Sequence, residues 1–268
     1  MNPYKYTDEK GAHLHTLNSK PLIGTSSVLK DTLAKTLQWW AAEMAAVECL
    51  EAGDKIPTIR EEYAVARVAT DKKAAIDALQ KKYPIFRAAR FAHFNDSKKK
   101  AGTGTDMHAE LENYVGLCIK NGGQPIPMNG TTREVDAFAG WSVENVEKFL
   151  WSEGHCFSET HWLGGISDCG ALLKDGNLAI IDFKSSKDAF FDQFVQTGGY
   201  ALEIEENGLF DADGNQTLKL EQPITALIIV PFGAEKVEPK TLYAVNEYKQ
   251  NFLNALGIYK SKSNYEAV

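Results

Sequence analysis

Residues 165–187 read GISDCGALLKDGNLAIIDFKSSK, two apolar β-type runs joined by KDGN, and no other stretch limits the fold as tightly. Strand side chains alternate between faces, so Asp182 and Lys184 leave the same face of their strand. Whether Asp168 joins them depends on the turn. A two-residue Asp-Gly loop pairs Lys174 with Asn177 and puts the two aspartates on opposite faces. A three-residue loop, with Gly176 left-handed, pairs Leu173 with Asn177 and sets Asp168 directly across from Asp182. The sequence suits the second, a type I turn closed by a glycine bulge. Like charges in that position repel, and the flanks Ile166, Leu172, Leu178 and Ile180 offer no solvation. Lys184 supplies one positive charge. A hard divalent cation between the aspartates is the simplest completion. The alternative is a buried Lys–Asp pair, with the second aspartate reaching solvent at the sheet edge.

The pattern on either side places this hairpin in an α/β chain. HCFSETHW reads as the strand before it, and ITALIIVPF as a later buried strand. DAFFDQFVQTGGYALEIEE between them is helical, and 244–260 is a closing amphipathic helix. Upstream, helical periodicity covers 28–53 and 58–95, with a break near Pro84. A further helix is expected from about 105, opened by capping threonines, to 120, and a short one over 141–152, with 121–140 as a loop. The expectation is a helical lobe over 1–100, suited to gripping DNA, and an α/β core over 101–268.

Composition removes several classes of function. No run of ~18 apolar residues spans a membrane, and the opening MNPYKYTDEKGAHLH lacks the apolar middle of a secretion signal. Four dispersed cysteines without a CxxC pair argue for free thiols in a reducing compartment, and against a zinc knuckle or an iron–sulfur cluster. The reading is cytoplasmic. The net charge of −7 is unevenly spread: residues 81–100 carry seven Lys/Arg (Lys81, Lys82, Arg87, Arg90, Lys98, Lys99, Lys100) against one acid, Asp96. Aromatic residues interleave with them, the composition of a surface that grips phosphates and stacks bases. A solvated amphipathic helix with its aromatics turned to the core has the same composition.

G-I-S-D followed fourteen residues later by D-F-K resembles the PD-(D/E)XK nuclease superfamily. GTGTDMHAELENY resembles the histidine motif of its RecB-like branch, and QTGGY that branch's Q-x-x-x-Y motif. The N-terminal PLIGTSSVLKDTLAKTLQWWAAEMA is similar to phage-encoded relatives of the mitochondrial genome maintenance exonuclease. The resemblance implies a restriction-endonuclease-like core of helix, three-stranded meander, helix and strand. It implies Mg2+ or Mn2+ held by His108, Asp168, Asp182 and the carbonyl of Phe183, with Lys184 catalytic beside Asp168 and Asp182. Gln196 and Tyr200 would position the substrate strand or the lysine. Ser167 stands where the superfamily name has proline.

The residues themselves fit these roles. At the start of its expected helix, His108 would be held neutral by the helix dipole and able to ligate. Glu112, one turn on, either supports the histidine or is a solvated helix acid. Gly198 and Gly199 each cost a helix ~1 kcal/mol, which implies close approach of another backbone, that of DNA or of a packed element. Ser185, Ser186 and Lys187 touch phosphate or cap the next helix. The sequence therefore leads to a metal-dependent DNA exonuclease acting on single-stranded ends. Lys98, Lys99, Lys100, Arg87 and Arg90 are the DNA-gripping cations. A recombination or single-strand-binding protein is the implied protein partner, and a host cell's cytoplasm the compartment if the chain is phage-encoded. The alternatives are a structure-specific endonuclease with the same site and a non-catalytic DNA-binding accessory protein.

Overall fold

The structure is a computed structural model that describes residues 3–9, 12–33, 45 and 56–266; the side chains of 9, 12, 31, 56–57, 90, 93–105 and 263–266 are outside the description. The chain divides into two compact units, one of Met1–Ala34 with Gly104–Val268, the other of Lys35–Thr103.

The first unit is built on β5 (Val146–Ser158), β6 (Leu163–Leu173) and β7 (Leu178–Lys184), an antiparallel meander. It is preceded by strands β1 (Tyr4–Glu9), β2 (Ala12–Leu17), β3 (Lys20–Pro21) and β4 (Ile23–Gly24) and helix α1 (Thr25–Thr32). The β6–β7 turn has the three-residue form expected: Gly176 lies at φ 85°, and the pairing runs Leu172↔Leu178 to Cys169↔Ile181. One step further along this register, Asp168 faces Asp182. A helix later, β10 (Ala226–Pro231) returns parallel to β7. With β8 (Leu209–Phe210), β9 (Gln216–Leu218) and β11 (Lys240–Leu242), the sheet order is β11-β10-β7-β6-β5-β8-β9. The fold class is mixed α/β.

In the second unit lie α2 (Ile56–Arg67), α3 (Lys72–Lys82) and the start of α4 (Pro84–Lys120). There Glu62 accepts hydrogen bonds from Lys82 (2.6 Å) and the Tyr83 hydroxyl (2.7 Å), joining α2 to the end of α3. Residues 35–103 hold thirteen Lys/Arg and nine Asp/Glu, a net charge of +4 that leaves −11 for the other unit.

Two helical layers bury the central sheet. On one face, Leu111, Tyr114 and Val115 of α4 and Val135, Phe138 and Ala139 of α5 (Arg133–Asn145) pack on Cys169, Ala171, Ile181, Phe183 and Ile228. On the other, Phe194, Tyr200, Ala201 and Ile204 of α6 (Phe191–Asn207) cover Leu178, Ile180, Leu227 and Ile229. Helix α7 (Val245–Glu266) lies on α6, with Phe252 and Leu256 against Val28 and Leu29 of α1. At ~25 cal/mol per Å² of apolar surface, these layers dominate the unit's stability.

Several expectations are corrected. Residues 3–33 are not a helical lobe: β1–β3 form a separate sheet, and these residues belong with the core unit. Alternation in YKYTDE and AHLHTL carries that signal, with Tyr4 and Leu17 buried on Phe157. The helix expected over 28–53 is described to Thr32 and again at Ala45, which is helical; residues 34–44 and 46–53 lie outside the described residues. Helix α4 does not begin near 105 but at Pro84, because no proline interrupts 85–120 and Gly or Thr alone costs a helix about 1 kcal/mol or less. Residues 133–140 are helix rather than loop, 141–145 are helix as expected, and 146–152 are strand rather than helix.

Candidate active site

The site forms where the sheet forks. One edge of β6 pairs with β5 throughout. Its other edge pairs with β7 only from Leu172 to Cys169, and with β4 at Gly164 and Leu163. Between those segments the strand is released, and Asp168 turns its carboxylate into the gap. Its Oδ2 accepts the Phe183 backbone N–H at 2.7 Å in place of a ladder bond, which fixes the carboxylate against β7. Phe183 thus enters the site through its amide, and its ring, edge-on to His108 at 5.7 Å, packs beneath.

Helix α4 brings the histidine. His108 Nε2 lies 3.0 Å from Asp168 Oδ2, and Nδ1 lies 2.6 Å from Glu112 Oε1 one turn along the helix. Glu112 is thus no solvated helix acid but holds the imidazole by its far nitrogen, fixing the ring's orientation. The helix-start argument for His108 does not hold, since it sits well inside a 37-residue helix. Burial alone would lower its pKa, but the carboxylates of Asp168 and Glu112 outweigh that and raise it to about 10. Ligand atoms of His108, Glu112 and Asp168 all lie within 4.8 Å of one another.

Asp182 is 1% exposed and faces Lys184, whose Nζ is 2.6 Å from Oδ2. Burial pushes the Asp182 carboxyl up to about 6, Lys184 opposing and Asp168 adding to the rise. Although burial disfavours its charge, Asp182 and Asp168 together hold Lys184 as an ammonium.

One member was missed in the sequence. Glu153 lies opposite Asp168, between the pairs Ser152↔Cys169 and Gly154↔Ser167. Glu153, Asp168 and Asp182 therefore form one row across three neighbouring strands. Glu153 sits at φ 49° inside β5, a left-handed conformation that costs a non-glycine residue roughly 1 kcal/mol or more. Burial raises its pKa first, then the charge of the facing Glu112. The expected helix over 141–152 concealed it; reading EKFLWSEGHCFS as one long strand would have aligned it with Asp168.

Gln196 Nε2 donates to the Tyr200 hydroxyl at 2.7 Å, one turn apart on α6. Tyr200 lies over Gly165, where an added Cβ would meet its ring at 2.6 Å. Burial, then the charges of Asp182 and Asp168, keep its phenol protonated. The glycine pair beside it is explained by packing. A Cβ on Gly198 would meet the Tyr248 carbonyl carbon of α7 at 2.7 Å, and one on Gly199 the Phe252 ring. Ser186 caps locally, bonding the Asp188 carbonyl and Gln193. Arg87 is exposed on α4 in the second unit, while the side chains of Arg90, Lys98, Lys99 and Lys100 lie outside the described residues.

Four carboxyl groups thus share the fork with one imidazole and one ammonium. That excess of carboxylate over positive charge, with Asp182 itself buried, fits a hard divalent cation bound by carboxylate oxygen and one imidazole. Cys118, Cys156 and Cys169 are buried free thiols placed elsewhere in the core. No helix among the described residues is long and apolar enough to cross a membrane. No protein-family model matches the chain, and no curated protein matches it in sequence.

Proposed function

We propose that the protein is a metal-dependent DNA exonuclease whose core is of the restriction-endonuclease type. The observation that carries the reading is the row Glu153–Asp168–Asp182 across the fork, joined by His108 from α4 and with a single ammonium, Lys184, on Asp182. A structural ion pair needs two groups; this arrangement gathers six, four of them carboxyls. A binding module has no use for so much acid beside a phosphate backbone.

A divalent cation such as Mg2+ or Mn2+, held by His108, Glu112 and Asp168, would supply charge neutralisation at a phosphate oxygen and would lower the pKa of a nearby water. The chain's own residues do the rest. Lys184, aimed by Asp182, orients a water molecule and stabilises negative charge growing on the phosphorus oxygens. Phe183 N–H holds Asp168 in one orientation, and Glu112 does the same for His108. Tyr200, kept neutral, offers its hydroxyl next to the two aspartates without adding charge.

The test is digestion of end-labelled linear and circular single-stranded DNA with Mg2+, Mn2+ or EDTA, with Lys184→Ala as the control for a contaminating nuclease. Linear strands should be degraded only with metal, circles should resist, and Lys184→Ala should be inactive yet folded. Circles cut as fast as linear strands would replace the exonuclease by an endonuclease. No metal-dependent cleavage of any DNA would overturn the reading in favour of an accessory protein.

A further inference from the structure

The β1–β2 register puts Tyr4, Tyr6 and Asp8 on one face with their partners Leu17, His15 and His13. At one end this face is core: Tyr4, Leu17 and His15 are 1%, 2% and 5% exposed, and Tyr4 stacks on Phe157 at 4.8 Å. At the other end the ring system continues into solvent. Tyr6 and His13 stack with centroids 5.9 Å apart and planes 17° from parallel, tied by a 2.6 Å bond between the Tyr6 hydroxyl and His13 Nδ1. The His13 side chain is 58% exposed.

This outer end borders the acidic row. The Tyr6 ring lies 4.3 Å from that of His155, which follows Glu153 by two residues on β5. The Tyr6 hydroxyl responds to Glu153: burial, then the charges of Asp8 and Glu153, raise its pKa. His155, 8% exposed, keeps Nδ1 buried without a partner, an uncompensated polar atom behind the exposed rings.

We propose that the Tyr6–His13 pair, backed by His155, is a stacking platform for a base of the bound single strand beside the acidic row. The proposal rests on the nuclease reading and names the part of the substrate that this wall receives. Asp8 and Glu153 flank the rings and repel phosphate, so the occupant is the flat, uncharged part of a nucleotide. Base–aromatic stacking is sequence-tolerant because every base has a π face, which suits an enzyme that consumes a strand of any sequence. The hydrogen bond between the two rings holds them parallel before the base arrives, so little side-chain entropy remains to be lost.

The test uses short single-stranded DNA carrying 2-aminopurine at successive positions from each end, titrated with the full-length protein in EDTA so that binding is read without cleavage. One position should be quenched on binding. Tyr6→Leu should abolish that quench and weaken binding about tenfold, within the range of ~1–3 kcal/mol per stacked base. Tyr6→Phe should keep the quench, because the ring face is kept, and lose only roughly two- to fourfold in affinity, because the tether to His13 is gone. His13→Ala, at an exposed side chain that the fold does not need, should give a partial loss. An abasic residue at the quenched position should erase the gap between wild type and Tyr6→Leu. Unchanged quench and affinity in both Tyr6→Leu and His13→Ala would overturn the platform even with cleavage intact. Quenching lost in the variants of a protein that cleaves nothing with Mg2+ or Mn2+ would support the platform while overturning the nuclease.

Discussion

Glu203 offers a prediction whose size can be worked out. It lies fully buried on α6, one turn beyond Tyr200, where its Oε1 takes the hydroxyl of Thr25 at the start of α1. Its second oxygen, Oε2, is buried without a hydrogen bond. Burial raises the carboxyl from about 4.5 to about 8, the Thr25 and Cys156 contacts only partly opposing it. The folded protein therefore carries a neutral glutamic acid at pH 7 that unfolding would ionise. A folded pKa above the unfolded one means that this group's stability is complete below pH 4.5 and is lost as pH rises towards 8. At ~1.36 kcal/mol per pKa unit the full loss approaches about 5 kcal/mol, of which roughly 3 to 4 falls between pH 5 and pH 8.

Glu203→Gln keeps the acceptor for Thr25 and replaces the carboxylic acid by an uncharged amide of the same shape. Urea unfolding of wild type and variant should be followed across pH 5 to 8.5 by tryptophan fluorescence. Other titrating groups are common to both chains and cancel in the difference. The variant should gain on wild type by about 3 kcal/mol or more over that window, with the steepest change near neutral pH. Parallel curves would refute the reasoning, since they would mean that Glu203 is already ionised in the folded protein.

Glu153→Gly should relieve the left-handed strain and the repulsion with Glu112, raising stability by roughly 1 kcal/mol in thermal unfolding while sharply reducing metal-dependent cleavage. A stability loss would show that Glu153 is a structural residue. Gly198→Ala should destabilise the core unit by about 2 kcal/mol or more, because the added methyl meets the α7 backbone, and thermal melts read this directly; an unchanged melt with weakened DNA binding would restore the alternative that DNA approaches there. His108→Ala should lower Mn2+ affinity more than Mg2+ affinity in calorimetric titration, since imidazole suits the softer ion. Equal losses would remove the histidine from the ligand set.

What could be read in advance follows the range of the interactions. The β6–β7 hairpin was legible down to its register because the turn is local: Gly176 at positive φ fixes which residues face each other, and the aspartates follow. Helix–strand–helix order in the core was likewise set by periodicity. Boundaries were not, since the end of a helix is decided by a few tenths of a kcal/mol per residue. Gly104 and Thr105 looked like a start, yet α4 runs through them. That error also misassigned the electrostatics of His108, whose pKa is set by Asp168, sixty residues away, and by Glu112. Glu153 was invisible for a related reason. Its role needs β5 and β6 in register and α4 laid across them, so no window of sequence contains the group it belongs to. The N-terminal hairpin was hidden by its composition: Tyr, His and Thr in alternation bury a face without looking apolar. That face nevertheless brings Tyr6 against His155 and within reach of Glu153. The facing aspartates were therefore legible where one hairpin carries them, and the rest of the candidate site had to await the fold where three strands and a helix converge.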